Sequence, residues 1–499
     1  MISRREVLAA GLAAAPAAFG QRTRKRPNFL FLIADDHAGY VLGADGNKQA
    51  RTPNLDRFAT EGCRFAQHIC NSPVCTPSRQ SFFTGQLPHA AGVTVLQTPL
   101  DDSRPTLAKQ LSAAGYKTAV FGKMHFNRPG TPGLHGFQTI LTENEATRNW
   151  QKVASHPVAS DIRTKPVWRP FKDPARIWLN AEKLPFPRSD AEMRSTWITT
   201  QAIDYLEQHR GDEFALWISL QEPHSPFDFP VEDREFYKPG DFPIPKPGPE
   251  DDWQIPLIFR DLSDAEKQGI AAAYYTSVRF LDRNMGRILS ALRRLNLEED
   301  TFVVYMADHG YSLGQHGRFE KHCSYEPALR VPLIMRWPGR IRQDVVHDMT
   351  QSVDVPATIL DLLGADPLPV QHGRSLRPYL TGGRRPDPLP FVFNEYLENE
   401  EACLRTPRWK FVHCSGKRAR KDGYATANPT PGRYVRLYDR SADPNEFHDV
   451  SAAHPQMVKQ FQAEMLAVFR RTHPEAEKEP KTQDTGELLD WYLRPRDAG

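Results

Sequence analysis

The chain has 499 residues, of which 39% are hydrophobic, so it can bury a sizeable core and is longer than one typical domain. Its formal net charge of +3 is mild and its basic residues are dispersed, which excludes a dedicated nucleic-acid binder. The six cysteines show neither CxxC spacing nor the density of a disulfide-rich scaffold. We therefore expect a globular protein of more than one unit, at about 150 residues or more for each.

The first residues have the pattern of a bacterial export signal. Ser3-Arg4-Arg5 precedes Val7-Leu8 and an Ala-rich stretch with small residues suited to cleavage, and this order resembles a twin-arginine signal. The stretch is too short and too rich in alanine to give stable membrane insertion. Residues 1–26 are thus predicted to be a signal peptide and the mature protein to be periplasmic or extracellular. A frayed amphipathic helix is the alternative.

Two short apolar runs are predicted to be strands of one buried, mostly parallel sheet. Asn28–Ala34 reads NFLFLIA and Thr301–Ala307 reads TFVVYMA. In open α/β sheets ligands bind beyond the carboxyl ends of the strands, so polar residues there can converge on one point. Taken singly, an aspartate after a strand is more often part of a turn or a helix cap. The residues that follow the two runs are candidate metal ligands: Asp35, Asp36, Asp308 and His309.

The segment Cys75–Gly85 reads CTPSRQSFFTG and carries the most specific pattern in the chain. A cysteine followed at fixed spacing by Pro, Ser and Arg79, with Thr-Gly closing the run, resembles the signature of the type I sulfatases. The alternative is a buried or metal-binding cysteine beside a proline turn, since unmodified thiols are usually small core residues.

This resemblance implies a particular nucleophile and a metal. In the family a formylglycine-generating enzyme converts the cysteine to formylglycine, and the hydrated aldehyde at Cys75 would attack sulfur through one hydroxyl. Arg79 would orient that diol with its fixed fork of donors. The resemblance places a metal between Cys75 and the four candidate ligands. Acidic oxygens dominate this set, so the cation should be hard, Ca²⁺ or Mg²⁺. The family resemblance favours Ca²⁺ over Mg²⁺, although His309 stands where some members have Asn.

A third segment, Gly115–His125, is predicted to be a short strand ending in Gly-Lys-Met-His. Lys123 and His125 are two residues apart, so in extended backbone both side chains would point to the same side. In the sulfatases that the chain resembles, this lysine holds a sulfate oxygen and this histidine is the base that acts when sulfate is expelled. Without the cysteine signature, we would interpret these two residues as a solvated lysine and a surface histidine.

A fourth strand is predicted at Phe214–Leu220, before Pro223-His224-Ser225-Pro226. The resemblance implies that His224 contacts the sulfate ester or protonates the departing alcohol, and an exposed side chain in a rigid loop is the alternative. Lys321, within the run GRFEKHC, resembles the lysine that completes the sulfate pocket. Other polar residues stand beside it in the sequence: Arg318, Glu320 and His322.

Alternating strand and helix patterns predict a catalytic α/β domain over residues 27–383. Helical patterns at Ser103–Ala114 and Asp264–Leu295 favour a mostly parallel central sheet sandwiched by helices. That is the architecture of the alkaline-phosphatase superfamily. Two irregular stretches interrupt it, Trp150–Pro187 and Pro226–Pro256, and we expect them to be walls of the substrate pocket rather than surface padding. Their tryptophans are Trp150, Trp168, Trp178 and Trp253.

Residues 384–499 are predicted to form a smaller C-terminal α+β subdomain, beyond a boundary at Gly382-Gly383-Arg384-Arg385-Pro386. The segment LYDRSADPNEFHDVS resembles the end of many sulfatases. Formylglycine at residue 75 would leave five cysteines, and Cys403 with Cys414 is the one pair considered for a disulfide. An antiparallel sheet and a following helix are predicted at Phe391–Phe393, Trp409–His413, Tyr434–Asp439 and His454–Arg471.

The patterns together predict an exported, metal-dependent sulfatase. Gly122–Phe126 with Leu134–Phe137 resembles choline sulfatases, whereas Asp308-His309-Gly310 resembles sulfatases of sulfated sugars such as iduronate esters. Export favours a carbohydrate sulfate over a small sulfate ester. A phosphonate monoester or phosphodiester hydrolase shares the modified cysteine and much of the metal site, and is an alternative. A non-catalytic glycan-binding relative is the alternative of another class, but such a protein has no use for a nucleophile.

Overall fold

The computed structural model describes residues 26–154, 158–159, 161–164, 169–170, 178–416 and 432–496. The predicted signal peptide, apart from Arg26, lies outside these residues, and so do Trp168 and the side chain of Trp178. Among the described helices, none combines the length and the apolar character needed to cross a membrane.

Strands and helices alternate along the described part of the chain. The strands are β1 (Asn28–Asp35), β2 (Cys63–Ile69), β3 (Lys117–Gly122), β4 (Thr139–Thr142), β5 (Arg169–Pro170), β6 (Trp178–Leu179), β7 (Phe214–Pro223), β8 (Thr301–Ala307), β9 (Leu333–Arg336), β10 (Asp344–Gln351), β11 (Val392–Tyr396), β12 (Glu401–Arg405), β13 (Trp409–Cys414) and β14 (Tyr434–Asp439). The α-helices are α1 (Pro53–Thr60), α2 (Cys75–Thr84), α3 (Pro88–Ala91), α4 (Leu107–Ala113), α5 (Glu143–Val153), α6 (Arg194–Gln208), α7 (Leu257–Arg260), α8 (Asp264–Arg294), α9 (Glu326–Leu329), α10 (Asp354–Leu363), α11 (Arg377–Thr381), α12 (Pro455–Thr472) and α13 (Thr485–Tyr492).

The central sheet has eight strands in the order β10-β2-β9-β8-β1-β7-β3-β4. Strand β9 runs antiparallel to its neighbours β8 and β2, and the other pairs are parallel. Strand β1 lies between β7 and β8 and is buried along its whole length, which explains its continuous apolar sequence. The predicted mostly parallel sheet is therefore confirmed.

The side chains of β1 alternate between two cores, one on each face of the sheet. Leu30 and Leu32 pack with residues of α1, α6 and α8, whereas Phe29 and Phe31 pack with residues of α2, α4 and α10. Helices thus cover both faces, as the sandwich prediction requires, and the acidic carboxyl end of β1 lies between the two helical layers.

Two predicted helices are found with modest changes of boundary. Helix α8 begins at a capping box, in which Ser263 Oγ accepts a hydrogen bond from Glu266 N (3.3 Å), and it ends at Arg294. Helix α4 begins at Leu107 rather than Ser103, because Thr106 is its N-cap and accepts a hydrogen bond from Lys109 N (3.1 Å).

A separate antiparallel sheet in the order β11-β12-β13-β14 confirms the predicted C-terminal sheet. Its apolar residues pack against α12 and α13. The sequence interpretation missed β12 and α13. The considered Cys403–Cys414 disulfide is wrong: all six cysteines are free, and the β12–β13 register pairs Cys403 with Val412 and Cys414 with Glu401, so the two thiols are not opposite each other. The domain boundary at residue 383 stays a prediction.

A buried network of charges joins β13 of the C-terminal sheet to the central domain. The Lys410 side chain is inaccessible to solvent, and its Nζ lies 2.6 Å from Glu446 Oε1 and 3.1 Å from Glu326 Oε2 in α9. Arg405 and Arg440 also contact Glu326 Oε1, at 3.1 and 2.9 Å. Removing one partner of such a network leaves an uncompensated buried charge.

We expect Lys410→Met to lower the free energy of unfolding by about 3–5 kcal/mol, because Glu446 and Glu326 would lose a buried cation. Arg408→Met is the matched control. Its side chain is 59% exposed in its pair with Asp439, so its loss should cost at most about 1 kcal/mol. Denaturant unfolding of both variants measures the difference, and equal shifts would show that the network does not stabilise the junction.

Candidate active site

The candidate site lies where the carboxyl ends of four neighbouring strands meet. These strands are β8, β1, β7 and β3, which are adjacent in the central sheet. Asp35 is the last residue of β1, and Asp308, Lys123 and His224 directly follow β8, β3 and β7. Parallel strands present their carboxyl ends at one edge, so four distant parts of the sequence come together there.

Cys75 occupies the centre of this edge, as the first residue of α2. Its Sγ lies 3.1 Å from Lys321 Nζ, 3.2 Å from His309 Nε2 and 4.0 Å from Lys123 Nζ. Burial raises the pKa of the Cys75 thiol, but Lys123, Lys321, His309 and a hydrogen bond from His125 outweigh it and hold that pKa well below its usual range. Position 75 is therefore built to carry negative charge.

The predicted ligands form a compact cluster of carboxylate oxygens, imidazole nitrogens and the sulfur of Cys75. Ligand atoms of Asp35, Cys75, Asp308 and His309 all lie within 4.8 Å of one another, and Asp36 and His224 form a similar group with Asp35 and Cys75. Burial raises the pKa of Asp308 to about 6, since its surroundings disfavour a further negative charge. The structure thus brings together the residues that the two strand-end patterns predicted.

Asp36 is held in an unusual backbone conformation. Its φ of 68° is in the left-handed region, and its N donates a hydrogen bond to Asp308 Oδ1 (3.1 Å). Its Oδ1 accepts a hydrogen bond from Lys321 Nζ (2.7 Å), whereas among the described residues its buried Oδ2 has no hydrogen-bond donor. An unsatisfied carboxylate oxygen in a buried site points to a group that is supplied from outside the chain.

Arg79 is fully buried one turn after Cys75 in α2. Its Nε donates to Asp308 Oδ2 (2.8 Å), and its Nη1 donates to Lys123 O (2.5 Å) and Ser219 Oγ (2.8 Å). Its Nη2 lies 3.7 Å from Asp35 Oδ1. Arg79 therefore fixes the beginning of α2 against the strand ends, in addition to facing residue 75.

Lys123 and His125 both lie near Cys75, but not because an extended backbone points their side chains to the same side, as the sequence predicted. Strand β3 ends at Gly122, and His125 has a φ of 59°, so the segment is not extended. Gly122 has a φ of 101°, and a Cβ there would lie 2.0 Å from Ser219 O, so β3 can approach β7 closely only with glycine. This close contact sets the direction in which Lys123 leaves the sheet, where its Nζ also contacts Asp35.

His224 and Lys321 complete the group around Cys75. The Nδ1 of His224 donates to Ser225 O (2.6 Å), which leaves Nε2 as the nitrogen that can exchange a proton with a substrate. Among the polar residues near Lys321, Arg318 binds Glu320 through its Nη1, and His322 Nδ1 lies 3.5 Å from the other oxygen of Glu320. Lys321 is thus the residue of this segment that the contacts place at Cys75.

A large cavity of about 740 Å³ opens next to His125, beyond the carboxyl ends of β3 and β4. Its walls come from the segment after Lys123 and from the first turns of α5, and include Phe126, Arg128, Glu143 and Arg148.

That the irregular stretches 150–187 and 226–256 are walls of the substrate pocket stays a prediction, and their tryptophans with described side chains lie away from this cavity. Trp150 belongs to α5, where its Nε1 donates to Glu192 O (2.7 Å) on the side that packs against Phe186, and Trp253 packs edge-on against Tyr434. Neither lines the cavity.

Two residues of the site were missed by the sequence interpretation. Ser219 accepts the hydrogen bond from Arg79, and Ser78 Oγ donates to Asp308 O. Ser219 had a signal, since it is the one polar residue in the apolar run of β7, FALWISL, and lies near the carboxyl end of that strand. Ser78 belongs to the cysteine signature itself, where its packing role could not be separated from its place in the motif.

A buried cysteine near two lysines and a cluster of carboxylates provides cations and metal ligands of the kind that stabilise a transferring oxyanion group. A model of the sulfatase family matches residues 27–365, and a model described as N-sulphoglucosamine sulphohydrolase, C-terminal, matches residues 314–471. The chain belongs to the sulfatase family and is a sulfuric ester hydrolase, as predicted.

Several relatives show the range of this similarity. The choline-sulfatase of Rhizobium meliloti is 29% identical over 427 residues, which cover 79% of each chain. The N-acetylglucosamine-6-O-sulfatase of Bacteroides thetaiotaomicron is 24% identical over 539 residues, covering 92% of this chain and 89% of the relative. The solved phosphonate monoester hydrolase of Silicibacter pomeroyi shares the fold, with a TM-score of 0.76 and 24% identity over 92% of this chain and 98% of the other.

Proposed function

We propose that the chain is an exported sulfatase that uses formylglycine at residue 75 and a bound Ca²⁺ to hydrolyse a sulfate ester of a carbohydrate. The observation that carries the proposal is the position of Cys75, buried at the start of α2 with Lys321 and His309 within 3.2 Å of its Sγ. The gem-diol of a formylglycine would supply the attacking hydroxyl at this position.

The residues present fit a hard cation. Asp35, Asp36, Asp308 and His309 would hold it, and Asp36 Oδ2 is a buried oxygen without a hydrogen-bond donor among the described residues. Three carboxylates provide the oxygen ligands that Ca²⁺ prefers, and Mg²⁺ is the second choice. When bound, the cation would polarise a sulfate oxygen as a Lewis acid.

The surrounding side chains divide the work of binding and proton transfer. Lys123 and Lys321 would hold sulfate oxygens, because both ammonium groups already lie within 4.0 Å of the Cys75 sulfur. His224 would donate a proton from Nε2 to the oxygen of the departing alcohol. His125, which lines the cavity, would accept a proton when sulfate is expelled. Arg79 would hold residue 75 in place.

The cavity favours a carbohydrate over choline as the alcohol. Quaternary ammonium groups are bound by cages of aromatic rings, whereas Phe126 is the one aromatic residue among the described residues that line this cavity. Arg128 and Arg148 line it together with Glu143 and Glu145, so its charge does not select for a cationic alcohol. The similarity to an N-acetylglucosamine-6-O-sulfatase supports the same choice, while the similarity to a choline-sulfatase supports the alternative.

The proposals of export and of maturation are supported by sequence patterns alone. The twin-arginine pattern in residues 1–26 supports delivery of the folded enzyme to the periplasm or beyond, after a formylglycine-generating enzyme has acted on residue 75. A second candidate function, phosphonate monoester hydrolysis, is favoured by the fold shared with a phosphonate monoester hydrolase. Turnover of a sulfate monoester and of a phosphonate monoester by one active preparation separates the two.

The nucleophile can be tested by mass spectrometry. In an active native preparation, the tryptic peptide Phe65–Arg79 should have lost the mass expected when the CH₂SH group of Cys75 becomes an aldehyde. Cys75→Ala should abolish turnover of sulfate esters and keep the melting temperature, since a small side chain replaces a small one. An unmodified peptide in an enzyme with full activity would exclude the formylglycine mechanism.

We expect chelation to lower both activity and melting temperature, and added Ca²⁺ to restore them, because the clustered carboxylates repel one another without a cation. Asp308→Asn should weaken this calcium response. Asp252→Asn is a control with a side chain that is 82% exposed in the parent, and should respond as the parent does. A parental calcium response in Asp308→Asn would place the metal elsewhere.

The two proposed proton-transfer residues should fail at different steps. His125→Ala should release about one equivalent of alcohol and then stop, because His125 acts after the alcohol has left. His224→Ala should slow the first release, and more for a sugar ester than for an activated aryl sulfate, whose leaving group needs little protonation. His209→Ala, at the opposite end of β7, is the control. Equal defects on both esters, or no burst, would mean that the roles are wrongly assigned.

A further inference from the structure

The cavity next to His125 is placed to receive the part of the substrate that leaves with the alcohol oxygen. It lies beyond the carboxyl ends of β3 and β4, directly beside the segment that carries Lys123 and His125. Its volume of about 740 Å³ is in the range of sites for drug-sized ligands and exceeds what a sulfate group needs. Met124, Phe126 and Ile140 give it an apolar wall, on which the face of a sugar ring can pack.

The segment that carries Arg128 is held in a defined position. Asn127 has a φ of 54°, a conformation that asparagine tolerates better than most residues, and its Nδ2 donates to Leu96 O (2.9 Å) and Thr98 O (3.1 Å). Arg128 follows directly, and Arg148 faces the same cavity from the second turn of α5. The two cations thus come from separate elements whose backbones are both fixed.

Both arginines are exposed, and within the described residues neither makes an ion pair or a hydrogen bond. The acidic residues of the cavity are placed differently. Glu143 and Glu145 lie in the first turn of α5, where the helix dipole favours negative charge, and Glu145 Oε2 accepts hydrogen bonds from Thr142 N (3.0 Å) and Thr142 Oγ1 (2.9 Å). Glu145 is therefore occupied by the helix cap, whereas the side chains of Arg128 and Arg148 have no hydrogen-bond partner among the described residues and can bind an anion.

We propose that Arg128 and Arg148 bind a second anionic group on the alcohol part of the substrate, a carboxylate or a further sulfate. The natural substrate class is then an acidic sulfated saccharide, in which the ester to be cleaved has another negative charge on the same sugar unit or the next. This inference rests on the proposed function. Both anions match the planar fork of donors of a guanidinium, which binds oxyanions in pairs of hydrogen bonds.

The test uses the purified full-length enzyme with residue 75 converted. We compare kcat/KM for three disaccharides with the same cleavable sulfate, which carry no other charge, a carboxylate or a second sulfate, together with a neutral aryl sulfate. The parent should prefer one or both acidic disaccharides to the neutral one, mainly through KM. That preference should shrink as ionic strength rises, since salt screens exposed charges.

We expect the double variant, Arg128→Gln with Arg148→Gln, to lose about fivefold in kcat/KM for each arginine replaced when it acts on the preferred acidic disaccharide. Its loss on the neutral disaccharide should be clearly smaller. Arg128→Lys with Arg148→Lys should regain part of the preference, because the charge is kept. Arg210→Gln replaces an exposed arginine before β7, at the opposite end of the sheet, and should behave as the parent.

The outcomes separate this inference from the proposed function. Two outcomes would overturn the inference alone. The parent could hydrolyse the aryl sulfate and all three disaccharides without preference, or the glutamine variant could lose activity equally on neutral and acidic disaccharides. Failure to hydrolyse any sulfate ester would overturn the proposed function and this inference with it. The comparison of carboxylate with second sulfate identifies which anion the arginines bind.

Discussion

The buried guanidinium of Arg79 is the contact on which the geometry of the site depends. From the first turns of α2 it reaches Asp308 after β8, Ser219 on β7 and the carbonyl of Lys123 after β3. One side chain thus ties a helix to the ends of three strands, and it can do so because guanidinium has five donors in a rigid plane. Removing a carboxylate partner would leave this buried charge uncompensated at a large cost, so the contacts of Arg79 favour this arrangement of the elements.

The site combines a tightly packed group of residues around position 75 with a cavity whose walls are partly exposed. The residues around position 75 stand at the ends of packed strands or at a helix start, where a small displacement would break several buried charge contacts. The cavity is built from the segment after β3 and the beginning of α5, where exposed side chains such as Arg128 and Arg148 can be exchanged without disturbing a core. This division explains how one fold can keep its handling of the sulfate group while differing in the alcohol that it accepts.

The sequence predicted the parts of the fold that are dictated by local pattern. Strands β1 and β8 were found because burial on both faces leaves a continuous apolar run, whereas β2 (CRFAQHI) and β10 (DVVHDMTQ) carry polar residues and were missed. All ten predicted site residues come together, yet Lys123 and His125 do so through a left-handed turn that spacing does not reveal. The cavity could not be predicted, because its shape depends on how α5 packs beside β3.

The burial of residue 75 limits when another protein can reach it during synthesis and folding. Cys75 is 1% exposed, at the start of a helix whose residues are all buried, and the strand ends close over it. A second protein that must bind the residues around Cys75 as an extended peptide could not reach them once α2 has formed. An enzyme that converts residue 75 to formylglycine, as proposed, would therefore have to act on the nascent or unfolded chain, and this conversion would compete with folding for the same few residues.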